Sequence, residues 1–334
     1  MSRMLVPLSV ATALLGGTAM ADVPRVAADI APVHSLVARV MQGVGTPSLI
    51  VAPGASPHEY SLRPSEAAAL QEADLVFWIG PDLTPWLEDA TETLAGHATV
   101  TKLLEVEGTL ELPFRGGALF ETHAHGEEDH EGHDDHDHGE HEGHDDHGHD
   151  DHGHDDHGHE GHDHGAHDPH AWLSPDNGAV WLNTIAARLS AADPDNAGNY
   201  FANAAAGRDE LAALSTEING ILDPVRGRNF IVFHDAYQYF EQAFDIPASG
   251  AVSMSDASDP SPSRIAEVQA RVREQGVTCV LSEPQFNPGI VAAVMDGSEA
   301  RTGVLDPLGS NLQPGPDLYG KVLRNLATAL AGCL

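Results

Sequence analysis

The chain is poor in cysteine, in basic residues and in long apolar runs. Its 334 residues include 2 Cys, and 16 Lys+Arg stand against 51 Asp+Glu, a formal net charge of -35. Two cysteines exclude a disulfide scaffold and any four-cysteine zinc or iron–sulfur centre. So acidic a chain is repelled by phosphate backbones and anionic lipid, which argues against nucleic acid or a membrane surface as partner. Beyond the first residues no run approaches the roughly 18 apolar residues that a membrane span needs. Yet 41% of the chain is hydrophobic, enough at this length for two domains with sizeable cores.

Histidine is in excess, 22 in all. Residues 121–168 hold 17 of them with 19 Asp+Glu and no Lys, Arg, branched aliphatic or aromatic residue. Asp-Asp-His-Gly-His repeats in tandem from Asp145 to His159. Such a segment cannot build a core and is expected to be disordered without a ligand. Because α/β patterning continues on both sides, it reads as an insert within a domain. Imidazoles titrate near about pH 6.5, so above that the insert is a dense array of neutral metal donors beside carboxylates. It either raises the local metal concentration or is an expendable loop. Outside it, 32 acids face 16 bases, so over half of the charge imbalance belongs to the insert.

Residues Met1–Ala21 read as a secretory signal: Arg3, the largely apolar Met4–Leu15, and Ala19-Met20-Ala21 as a small-residue cleavage site. A soluble exported chain beginning at Asp22 is expected. In an oxidising compartment Cys279 and Cys333 become a disulfide candidate, with two separately buried thiols as the alternative.

Past Asp22 the pattern alternates. Val26–Ile30, Ser48–Val51 and Leu75–Ile79 are expected strands, with helices opening at Pro64 and at Thr84-Pro85. After the insert come a helix over Val180–Ala192 and a longer one over Asp195–Leu222, interrupted at Gly198, Gly207 and Gly220. The rhythm then returns with strands at Phe230–Phe233, Val277–Leu281 and Gly303–Leu305. Helices are expected after Ser261-Pro262 and over Leu318–Leu330. The expected fold is α/β, two lobes each with a mostly parallel sheet flanked by helices, joined by a long rigid helix. Residues 22–194 would form the first lobe, 195–222 the linking helix and 223–334 the second lobe.

Five histidines lie outside the insert. His58, His170 and His234 fall where a strand or turn meets the next element, and Asp306 follows the expected strand Gly303–Leu305. Ligands of open α/β sheets gather beyond the carboxyl ends of strands, and three imidazoles with one carboxylate suit a tetrahedral zinc site. Glu59 is an alternative fourth ligand, although adjacent side chains usually diverge; water is another. Asp235 and Glu283 are candidates to accept a hydrogen bond from a ligand's second nitrogen, with helix capping the alternative for Asp235. His34 follows the first strand, as a cleft-lining or surface residue, and His97 sits in a polar turn. An open coordination position would also suit a secreted zinc-dependent hydrolase, but no nucleophile motif and no HExxH is present. A His-rich metal buffer is a third reading.

Five stretches carry a resemblance: Gly54-Ala-Ser-Pro-His-Glu-Tyr-Ser-Leu-Arg-Pro-Ser, Asp168-Pro-His-Ala-Trp-Leu-Ser-Pro, Val232-Phe-His-Asp-Ala-Tyr, Ser282-Glu-Pro-Gln-Phe and Leu305-Asp-Pro-Leu-Gly. In this order they resemble the cluster A-I metal-binding solute receptors of ABC importers (the bacterial solute-binding protein 9 family), and within these the zinc receptors of the ZnuA type. The resemblance implies metal held in a cleft between two lobes by His58 and His170 from the first and His234 and Asp306 from the second. It implies Zn2+ as the transported ligand rather than a catalytic cofactor, and a Cys279–Cys333 bridge. The implied partners are a membrane permease and its ATPase, with a periplasmic zinc chaperone as a further candidate. The chain departs from some such receptors by carrying Pro57, not an acid, just before the first ligand histidine. The receptor is expected to be periplasmic, monomeric and not an enzyme.

Overall fold

The computed structural model describes residues 23–115, 120, 167–253 and 260–334. The expected signal segment and residues 121–166 of the His-rich insert lie outside the described residues. Two residues assigned to the insert do not belong to it. His167 bridges Pro113, and Asp168 is buried with its amide on the Leu112 carbonyl.

The first lobe is built on strands β1 (Val26–Ala28), β2 (Ser48–Leu49), β3 (Leu75–Trp78) and β4 (Thr99–Lys102), in the order β2-β1-β3-β4. The second is built on β5 (Phe230–His234), β6 (Ala251–Ser253), β7 (Cys279–Ser282) and β8 (Arg301–Val304), in the equivalent order β6-β5-β7-β8. Every pairing is parallel. Central strands covered on both faces need unbroken apolar runs, and Leu-Val-Phe-Trp in β3 and Phe-Ile-Val-Phe-His in β5 are buried at every residue. Helices α1 (Ala31–Val40), α2 (Pro64–Glu72) and α3 (Pro85–Leu94) serve the first sheet. Helices α6 (Gln238–Phe244), α7 (Pro262–Glu274), α8 (Pro288–Met295) and α9 (Leu318–Cys333) follow in the second lobe.

Between the sheets run α4 (Pro175–Ala192) and α5 (Ala197–Leu222). α4 starts five residues before the expected Val180, because Ser174 caps it: its Oγ accepts from the Asn177 amide at 3.2 Å and Pro175 takes the first helical position. α5 is continuous through all three glycines, and short 3-10 turns at Pro194–Asn196 and Asp223–Val225 extend it at both ends. Gly207 is a contact rather than an interruption, since a Cβ there would stand 3.0 Å from the Leu182 side chain of α4.

One apolar core runs through both lobes, from Val26 and Phe77 through Trp181 and Tyr200 to Phe230 and Leu326. Smaller clusters back each sheet. Cys279 and Cys333 are bridged with Cα atoms 5.8 Å apart, which ties the first residue of β7 to the last of α9 and removes the free-thiol alternative. Among the described residues no helix is long and apolar enough to cross a membrane.

Candidate metal site

Three of the four expected ligands lie at or after the carboxyl ends of strands. His234 is the last residue of β5, His58 lies between β2 and α2, and Asp306 follows β8 by two residues. His170 stands immediately before a 3-10 turn, Ala171–Leu173, that leads into α4.

His170 and His234 meet across the lobes with their Nε2 atoms 3.3 Å apart and their rings 5.2 Å apart, centre to centre. Each turns its other nitrogen to a buried carboxylate: His170 Nδ1 lies 2.7 Å from Asp168 Oδ1, and His234 Nδ1 lies 2.5 Å from Glu283 Oε1. Where Nδ1–H is donated to the carboxylate, Nε2 is the acceptor nitrogen of the ring and the one that can ligate a metal. Nitrogens bound at about 2.0–2.1 Å to one tetrahedral zinc are about 3.3–3.4 Å apart, the spacing found here.

The other two candidates are placed differently. The His58 ring is half-buried, 5.6 Å from the His170 ring, on a loop braced by Trp86 Nε1 on the Pro57 carbonyl at 2.8 Å. Glu59 beside it is exposed. Asp306 accepts four hydrogen bonds from its own turn: Leu308 N at 3.2 Å, Gly309 N at 2.8 Å, Ser310 N at 2.7 Å and Ser310 Oγ at 3.2 Å. Three of these fall on Oδ1 and one on Oδ2, so Oδ2 keeps an acceptor position that a metal could use. No three His, Cys, Asp or Glu side chains among the described residues are gathered as a ready metal-holding group.

Two expectations need correction, and one acceptor was not anticipated. Asp235 does not serve an imidazole; Arg115 holds it, with Nε 2.9 Å from Asp235 Oδ1. The partner of His170 is instead Asp168, which the sequence reading overlooked. Its signal was the Asp-x-His spacing, since Asp168 Oδ1 also accepts from the His170 amide at 3.0 Å. His34 is neither cleft-lining nor exposed: it is buried in α1 with Nε2 3.1 Å from the Pro47 carbonyl, and burial lowers its pKa. His97 is exposed, as expected.

The electrostatics follow burial. Burial pushes the Asp168 carboxyl up to about 7, against the His170 amide and the Arg115 charge, which pull it down. Asp29, closing β1, is also pushed up to about 7 by burial, although it accepts from Ile79 N at 2.8 Å and Ile30 N at 2.7 Å. It joins the ends of β1 and β3 where the first-lobe loops begin.

A family model described as "ZnuA: Zinc-uptake complex component A periplasmic" matches residues 26–333. The chain belongs to the ZnuA family. The high-affinity zinc uptake system protein ZnuA of Brucella abortus is 48% identical over 309 residues, spanning 92% of this chain and 91% of the relative. That of Paracoccus denitrificans is 48% identical over 329 residues, 97% of each chain. That of Haemophilus influenzae is 33% identical over 336 residues, 100% of this chain and 99% of the other. Among solved structures, a crystal structure of ZnuA superposes with a TM-score of 0.70 at 24% identity, over 93% of this chain and 99% of that one. A zinc-bound ZnuA deletion mutant gives 0.69 at 24% identity, over 93% and 98%. At such identities these structures bear on the fold alone, and it is the bilobed α/β fold expected from the sequence.

Proposed function

We propose that this chain is the periplasmic zinc-binding receptor of an ABC importer, with Zn2+ as cargo between the lobes. Membership of the ZnuA family and the 48% identity to zinc uptake proteins support that role. A receptor binds and releases; it breaks no bond in its cargo and is not an enzyme. Its task implies a cognate permease and ATPase, and the further reading of a monomer that also receives zinc from a chaperone is ours.

The observation that carries the site assignment is the His170–His234 pair, two imidazole Nε2 atoms 3.3 Å apart with each Nδ1 against a buried carboxylate. In this reading zinc bridges the pair first. His58 then swings in from its loop, and Asp306 completes the set through Oδ2, with Glu59 or water as substitutes. Asp168 and Glu283 fix the tautomers and raise ligand basicity, as carboxylates behind zinc-bound histidines do. An imidazole-rich set favours zinc over manganese, whereas Cu2+ would bind such donors more tightly still, so zinc follows from the family rather than from the donors. Isothermal titration of the full chain against a competing chelator tests this. One tight equivalent that disappears in His170→Ala/His234→Ala is expected. Tight binding that survives the double substitution would contradict it and favour the metal-buffer reading.

A further inference from the structure

Arg115 lies two residues beyond the Pro113–His167 bridge, at the point where the chain leaves the described stem of the insert. Its guanidinium crosses to the second lobe and grips two carboxylates. Nε lies 2.9 Å from Asp235 Oδ1, Nη1 lies 2.7 Å from Glu241 Oε2, and Nη2 reaches both residues. The Phe120 ring covers one face of the cation at 3.5 Å. Side-chain exposures are 17% for Arg115, 3% for Asp235 and 6% for Glu241, so this charge cluster is largely withdrawn from solvent.

Its place in the molecule is unusual. Its two ion pairs, Arg115–Asp235 and Arg115–Glu241, join the first lobe directly to the second. The other ties near the site are neutral: Trp172 Nε1 on the Pro307 carbonyl at 2.9 Å, and Tyr239 Oη on the Asp168 carbonyl at 2.8 Å. Asp235 directly follows His234, and the Arg115 charge also acts on Asp168, the partner of His170. One cation thus stands behind both halves of the imidazole pair. A lobe tilt that parts His170 from His234 has to draw the guanidinium away from two buried carboxylates and leave them uncompensated. That is the costly way to break a buried ion pair.

We propose that Arg115 is a positioning residue, whose clasp on Asp235 and Glu241 holds His170 and His234 at zinc-bridging distance and so sets the rate at which zinc leaves. This rests on the zinc-receptor reading above.

The test is zinc release from the full chain into excess chromogenic chelator, strong enough to strip isolated imidazole and carboxylate sites, followed by stopped flow. Arg115→Met is expected to speed release about 10–100-fold, the range seen when groups supporting metal ligands are removed. Because that variant strands two buried carboxylates and can unfold, the neutral triple variant Arg115→Met/Asp235→Asn/Glu241→Gln is the deciding one. It leaves no unpaired buried charge, so its unfolding midpoint should stay near wild type while release remains at least about tenfold faster. A clasp with only a structural role would move the midpoint and not the release. A folded triple variant releasing zinc within about twofold of wild type would overturn the proposal alone. A wild-type chain with no tight zinc equivalent would sink the receptor reading and this proposal together.

Discussion

Half of the candidate site is built and half is waiting. His170 and His234 sit on a helix-leading turn and a strand end, each locked by a buried carboxylate, with their Nε2 atoms 3.3 Å apart. His58 sits on a half-exposed loop, and Asp306 is held by its own turn, chiefly through Oδ1. The difference separates two requirements of a receptor. A preorganised pair costs little ordering entropy on binding and supplies affinity. Donors that must move to bind can also move away, and they supply a route for exchange.

If preorganisation is local to the carboxylate anchors, global stability can fall without touching it. The Cys279–Cys333 bridge closes a loop with a sequence separation of 54. Cys279→Ala/Cys333→Ala should therefore cost about 4 kcal/mol of unfolding free energy in the chain-entropy model, read by denaturant titration. Zinc affinity of the folded double variant is expected to stay near wild type. A large loss of affinity would mean that β7 needs the bridge to present Glu283, and the comparison would have to be redrawn around the whole lobe.

Within the site, the two halves should respond unequally. Zinc binding in structural four-ligand sites amounts to about 10–16 kcal/mol, so a ligand's share is about 3 kcal/mol, or on the order of a hundredfold. His234→Ala is expected to lose at least that in competition titration. His58→Ala should lose less, by about 1 kcal/mol, because ordering the loop-borne ring offsets part of its bond. Equal losses would erase the distinction between built and waiting donors.

The built half was only partly legible from the sequence. Strand-end histidines and the unbroken apolar runs of β3 and β5 stand out because burial on both faces demands them. β4, Thr-Val-Thr-Lys, passed unread: it is an edge strand, partly exposed, and carries no such run. Asp235 was expected to accept from a ligand's second nitrogen, but the acceptor behind His170 is Asp168. The side chain that claims Asp235 is Arg115, 120 residues away, which no local pattern could announce. Glu283, 49 residues from His234, is close to it only because β5 and β7 are neighbours in the sheet. Sequence shows which residues can ligate; which of them are anchored depends on strand order and on contacts between lobes.

A smaller effect sharpens the anchors themselves. Glu283→Gln keeps an acceptor beside His234 Nδ1 and removes the charge, while Asp168→Asn does the same for His170. Each should weaken zinc binding about 10–100-fold, mainly through faster release. An unchanged dissociation rate in both variants would show that the carboxylates only fill space.

The smallest expected effect belongs to the segment with the most histidines. The stem of the insert closes without it, through the Pro113–His167 bridge and the Asp168 amide on the Leu112 carbonyl. Deleting residues 121–166 should therefore leave the equilibrium affinity of the cleft within about twofold, as for energetically independent sites. If the 16 His of residues 121–166 gather zinc for the cleft, the deletion instead slows zinc capture from a chelator-buffered, zinc-poor solution, where several weak sites raise the local concentration. Unchanged capture would make the loop dispensable. The cut has to stop at 166. A deletion reaching Asp168 would remove the carboxylate on His170 Nδ1, so the weakened binding it produced would report on the anchor and be mistaken for the work of the loop.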